Sequence, residues 1–109
     1  MTDTVINRGH GMARSIMKLE RHQRSIFKYL EKLKSYRCEP TDYSCFIMVR
    51  KLKDGLTSLA LDQKLLLDIV RDKSNFKLEQ ARKIESCEKR YHQLEVDMAA
   101  YLSQINNHY

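Results

Sequence analysis

From Cys45 to His108 every core-type position falls on one seven-residue beat of alternating four- and three-residue steps. The series runs Cys45, Val49, Leu52, Leu56, Leu59, Gln63, Leu66, Val70, Lys73, Lys77, Gln80, Ile84, Cys87, Tyr91, Leu94, Met98, Tyr101, Ile105 and His108. A helix with this spacing offers a narrow seam to a partner helix and supercoils around it. Such a chain builds rods rather than a broad core with a concave pocket. A second series, Met12, Ile16, Leu19, Gln23, Ile26, Leu30, Leu33 and Arg37, precedes it. Residues 1–11, with Gly9 and Gly11, are expected to form a flexible start.

Between the two series stands Cys38-Glu39-Pro40-Thr41-Asp42. Proline inside a helix costs about 3 kcal/mol and keeps the preceding residue out of the α region. Thr41 or Asp42 can cap a new helix beyond it. The fold expected is all-α: two long helices in an antiparallel coiled-coil hairpin, with a basic helix 1 over 12–37, a turn at 38–42 and a long helix 2 over 43–107. An alternative turn lies at 54–58, where Gly55 could end a helix and Thr57 or Ser58 begin another. The Pro40 turn leaves arms of about 50 Å and about 100 Å, so the far half of the long arm has an unmatched seam.

Two stretches exceed a single seam. Cys45–Val49 is apolar on every side of a helix, Leu61 and Leu65 fall on the outer face, and Leu67, Ile69 and Phe76 flank the seam. This surface requires either a third helical piece packed against it or a docked partner. Within the seam itself, Gln23, Gln63, Lys73, Lys77 and Gln80 are polar. Such residues cost stability and set register, and Lys73–Gln80 forms a weak, bendable belt.

Charge is strongly polarised. The net +6 lies wholly in residues 1–37, where nine basic residues face Asp3, Glu20 and Glu31; residues 38–109 hold eleven of each sign. With Ile16 in the seam, Arg14, Lys18, Arg21, Arg24 and Lys28 form a basic stripe on the opposite face. An acidic protein surface, nucleic acid or anionic lipid could complement it.

No phosphate-binding glycine loop, nucleophile elbow or HExxH motif occurs, and His10, His22, His92 and His108 share no metal-ligand spacing with the cysteines. The sequence points to no catalysis, cofactor or metal. Cys38, Cys45 and Cys87 are odd in number and lack a CxxC pair, and residues 1–20 hold no apolar run of a secretory leader. They are expected as reduced, inert thiols in a cytoplasmic protein, with a Cys38–Cys45 bridge across the bend as the alternative.

The basic heptads from Met12 to Arg37, the mid-chain bend, the series to Ile105 and the tail AAYLSQINNHY resemble the central-stalk proteins of type III secretion. These form the FliJ/YscO family, and the likeness extends to its short members in attaching-and-effacing injectisomes. The resemblance implies a bacterial cytoplasmic stalk, monomeric alone and peripheral to an inner-membrane secretion apparatus. Its paired chain ends, Met12–Arg24 and Arg90–Ile105, would enter the pore of a hexameric export ATPase and stimulate it. Arg14, Lys18, Arg21, Arg24 and Lys28 would then meet acidic loops of the ATPase. Phe46, Ile47, Met48, Leu61 and Leu65 would face the export gate, and export chaperones would be further partners. A coiled-coil chaperone or scaffold binding a partner helix is the rival reading, with nucleic-acid binding through the basic helix behind it.

Overall fold

The computed structural model describes residues 2–35, 38–71 and 78–108, with side-chain surroundings for 13–35, 38–71 and 78–104. It is all-helical: α1 spans Thr2–Ser35, α2 Tyr43–Arg71 and α3 Leu78–His108. The three helices pack side by side into a rod of 59 × 22 × 18 Å.

Helix direction follows from cross-contacts. Gln23 donates to the Ala60 carbonyl at 3.2 Å, and Arg71 lies 3.6 Å from Glu20, so α1 and α2 are antiparallel. Arg90 pairs with Asp62 at 2.6 Å while Cys45 Sγ lies 3.9 Å from the Tyr101 hydroxyl, so α2 and α3 are antiparallel as well. Hence α1 and α3 run parallel, and His22 of α1 stacks on Tyr91 of α3.

The expected two-helix hairpin is therefore corrected to a three-helix bundle. The long helix over 43–107 is divided, with α2 ending at Arg71 and α3 beginning at Leu78. Lys73, Phe76 and Lys77 fall outside the described residues, as does Arg37. The division has a physical reason. A continuous rod would leave about half of the 43–107 seam in water, whereas folding back buries Ile84, Cys87, Tyr91, Met98 and Tyr101. It also sets α3 against the Gly55, Ser58 and Asp62 side of α2, while Ala60, whose carbonyl accepts from Gln23, lies on the α1 side of the main seam of Leu52, Leu56, Leu59, Leu66 and Val70. Of the surplus apolar surface, Leu67 is buried within the bundle, while Leu61, Leu65 and Ile69 remain exposed.

α1 begins at Thr2, where a flexible start over 1–11 was expected. Two glycines, Gly9 and Gly11, cost a helix about 1 kcal/mol each, which a helix of 34 residues absorbs. At its far end the chain turns through Pro40, with the Asp42 amide donating to the Glu39 carbonyl at 2.9 Å. Asp42 then caps α2: its Oδ1 accepts from the Cys45 amide at 3.1 Å and from the Ser44 hydroxyl at 3.0 Å.

The alternative turn at 54–58 is overturned, because Lys53–Ser58 lies inside α2. Gly55 serves a different end: a Cβ built there would meet Leu94 Cδ2 at 2.8 Å. The glycine lets Leu94 of α3 press against the α2 backbone, a packing role rather than a turning one. Core glutamine is also present. Gln63 is fully buried, and among the described residues neither atom of its amide has a hydrogen-bond partner.

Two stability measurements test this packing. Gln63→Met, which keeps the volume and removes the unpaired amide, should raise the unfolding free energy by about 1–3 kcal/mol in urea melts with an unchanged m-value. Gly55→Ala should change stability by less than about 1 kcal/mol, because better helix propensity offsets a small rotation of Leu94. Gly55→Leu should cost roughly 2 kcal/mol or more by forcing α2 and α3 apart.

Candidate functional site

The basic stripe lies where the heptad register places it. Leu19, Ile26 and Leu33 are buried at seven-residue intervals, with Ile16 and Leu30 packed beside them. That fixes the opposite face of α1 toward solvent, and Arg14, Lys18, Arg21, Arg24 and Lys28 are all exposed on it. They span about 21 Å along the helix at 1.5 Å per residue. None of the five forms an ion pair among the described residues. Two acidic residues of α1 are engaged elsewhere, Glu20 with Arg71 and Glu31 with Lys34. The stripe is thus an uncompensated row of positive charge on a rigid support. Met17, 61% exposed, lies within it, and Phe27 stands at its far end beside Lys28. A shallow open depression lined by Phe27, Lys28, Glu31, Lys32 and Ser35 continues the same face.

The second group of candidates does not form one patch. Phe46, Ile47 and Met48 lie in the first turns of α2, beside the Pro40 bend. Met48 packs against the core, whereas Phe46 and Ile47 are exposed. Leu61 and Leu65 are 58% and 56% exposed on the same outer side as Ile47, but about 20 Å further along the helix. Ile69 extends the Leu61–Leu65 stripe by one more turn. Phe46 and Ile47 thus adjoin the bend, and Leu61 and Leu65 stand apart from it.

The parallel course of α1 and α3 also separates the two segments expected to form a common tip. Met12–Arg24 and Arg90–Ile105 meet only around the His22–Tyr91 stack, and from there they extend in opposite directions along the rod.

That junction carries a polar cluster that residue spacing did not single out, since His22 and His92 belong to different helices. The His22 ring lies flat on Tyr91, with centroids 3.9 Å apart and planes 9° apart, and meets His92 edge-on at 5.9 Å. His22 Nδ1 is buried and has no hydrogen-bond partner among the described residues. Tyr91 donates to Glu95 at 3.3 Å, and His92 lies 3.7 Å from the same carboxylate group. Burial lowers the His22 pKa from 6.5, His92 and Arg21 lower it further, and Glu88 and Glu95 oppose the shift. Burial also pushes the Tyr29 phenol up to about 12, with Tyr91 and Glu95 adding to the effect. Among the described residues no group of three His, Cys, Asp or Glu could hold a metal ion. No described helix is long and apolar enough to cross a membrane.

The cysteine expectation is corrected. Cys38 and Cys45 form a disulfide across the bend, with Cα atoms 5.7 Å apart, and Cys87 is a buried free thiol whose pKa is raised by that burial. Pro40 and the Asp42 cap bring the two residues together, a proximity that sequence separation alone leaves open.

Because folding disfavours protonated His22, the unfolded chain binds the proton more readily. The stability associated with neutral His22 is fully present above pH 6.5 and is lost as pH falls from there through the lower folded-state value. Melting temperature should drop over that range, and His22→Phe should flatten the drop; NMR titration of His22 should place its midpoint below 6.5. No family model, curated protein or solved structure matches this chain.

Proposed function

We propose that this chain is a non-catalytic helical stalk that binds an acidic protein surface through the outer face of α1. The uncompensated row Arg14, Lys18, Arg21, Arg24 and Lys28 carries the reading. A three-helix rod supports the row, so its spacing survives contact with a partner. Met17 within the row favours a protein over a phosphate backbone, since an apolar side chain among cations gains from being covered by a partner's apolar surface.

In the setting that the resemblance to type III secretion stalks implies, the partner is a hexameric export ATPase. A rod without sixfold symmetry cannot touch six subunits equally. Each subunit it holds better in one nucleotide state is biased toward that state by the difference in contact energy. With the chain ends at opposite poles, the α1 face, rather than a joined pair of ends, would engage the ring. Export-gate proteins and export chaperones are further partners of the same proposal, at the bacterial cytoplasmic side of the secretion apparatus.

A second reading is a scaffold that binds an amphipathic helix, and exposed Leu61, Leu65 and Ile69 on α2 favour it. The two are separable. Changing Arg14, Lys18, Arg21 and Lys28 to Glu, or working in about 0.5 M salt, where the screening length is roughly 4 Å, should abolish stimulation of a cognate secretion ATPase. Circular dichroism should show the variant still helical. Stimulation that survives charge reversal but fails in Leu61→Glu/Leu65→Glu would replace the first reading with the second. Tight retention on DNA near physiological salt would displace both.

A further inference from the structure

We infer that the Cys38–Cys45 pair is a reversible thiol–disulfide site that sets how firmly the first turns of α2 are held. The inference stands apart from the proposed partner. It rests on where the bond lies and on what surrounds it.

Cys38 is in the connecting turn, and Cys45 is in the first turn of α2, seven residues on. The bond closes a short loop, so it ties no remote parts of the rod together, and the bundle has its own apolar core. Neither cysteine is fully buried: both are half-buried, Cys38 in the turn and Cys45 packed against the edge of the core. The third cysteine does not compete, because Cys87 is buried in the seam of α3. An isolated, half-buried, local bond of this kind suits exchange better than it suits stapling.

The chemistry balances with a low-molecular-weight thiol such as glutathione. Its thiolate attacks Cys38 Sγ in the turn, the Cys38–Cys45 bond breaks, and Cys45 leaves as thiolate at the positive end of α2. A second thiolate attacks the glutathione sulfur of the mixed disulfide. Cys38 is released as thiolate, glutathione disulfide forms, and both cysteines take protons from solvent. Two electrons pass from two glutathione molecules to the protein, and oxidation runs the same steps backward.

The bond changes local order. In the oxidised chain the turn and the first turn of α2 are pinned by the disulfide as well as by the Asp42 cap. After reduction the hydrogen bonds of the turn and the Asp42 cap hold them without the covalent tie. Tyr43, Phe46 and Ile47, exposed beside Cys45, then sit on a looser helix start. Cys45 also touches the Tyr101 hydroxyl, so the change reaches the adjoining part of α3.

The test uses the full chain, folded, in glutathione buffers from fully reduced to fully oxidised. Alkylation followed by mass measurement should show two labels in reducing buffer and none in oxidising buffer, with Cys87 unlabelled in both. Amide exchange over residues 43–49 should be about tenfold or more slower in the oxidised form, while the middle of α3 is unchanged. Cys38→Ser and Cys45→Ser should each exchange like the reduced chain in either buffer, and Cys87→Ser should keep the difference. A bond that never forms, one that opens only when the chain unfolds, a mixed disulfide or dimer in its place, or equal exchange rates in the two buffers would each overturn the inference.

Discussion

The structure depends on α2 being apolar on two flanks at once. Leu52, Leu56, Leu59, Leu66 and Val70 form one row, and Ala60 and Leu67 form a second beside it. Together they make a stripe broader than a single coiled-coil seam. At about 25 cal/mol per Å² of apolar surface, leaving either flank in water would cost more than this slender core could spare. α2 is clasped by α1 on its Ala60–Arg71 side and by α3 on its Gly55–Asp62 side, with the main seam between them, and direct α1–α3 contact includes the His22–Tyr91 stack. Helix order, chain direction and the placement of both outer faces follow from that clasp.

Polar groups set the character of the core. Gln23 finds the Ala60 carbonyl, but Gln63 is enclosed with its amide unpaired. The ion pairs that link neighbouring helices, Arg90–Asp62 and Arg71–Glu20, lie at the surface, where each is worth about 0–1 kcal/mol. Cohesion comes mainly from packed Leu, Ile, Met and Tyr side chains, with close approaches such as Leu94 against Gly55. The result is a rod with modest reserves whose outer surfaces are left for other tasks.

Much of the helical architecture was legible in the residues. The heptad beat identified which side of each helix is buried, and it placed the basic stripe correctly on the solvent face of α1. Pro40 and Asp42 marked the first bend through backbone chemistry that acts locally. The second division was only half legible. Lys73 and Lys77 showed a weak belt, and Leu67 showed surplus apolar surface, but an unbroken seven-residue beat is equally compatible with a continuous helix. Gly55 misled for a similar reason, since a glycine that ends a helix and one that admits a neighbour look alike until Leu94 is in place. The Cys38–Cys45 bond and the His22–Tyr91–His92 cluster depend on three-dimensional proximity that spacing does not encode. The partner of the basic row is not written in the row itself, because uncompensated charge specifies sign and length but no individual surface.

Because the first and third helices point the same way, the described chain starts at one pole of the bundle and finishes at the other. A short peptide could not join Thr2 to His108 into a ring without spanning most of the 59 Å long axis. Two bodies attached at those positions would be held apart like weights on a dumbbell. Antiparallel pairs, by contrast, bring their termini together and would crowd such bodies at one end.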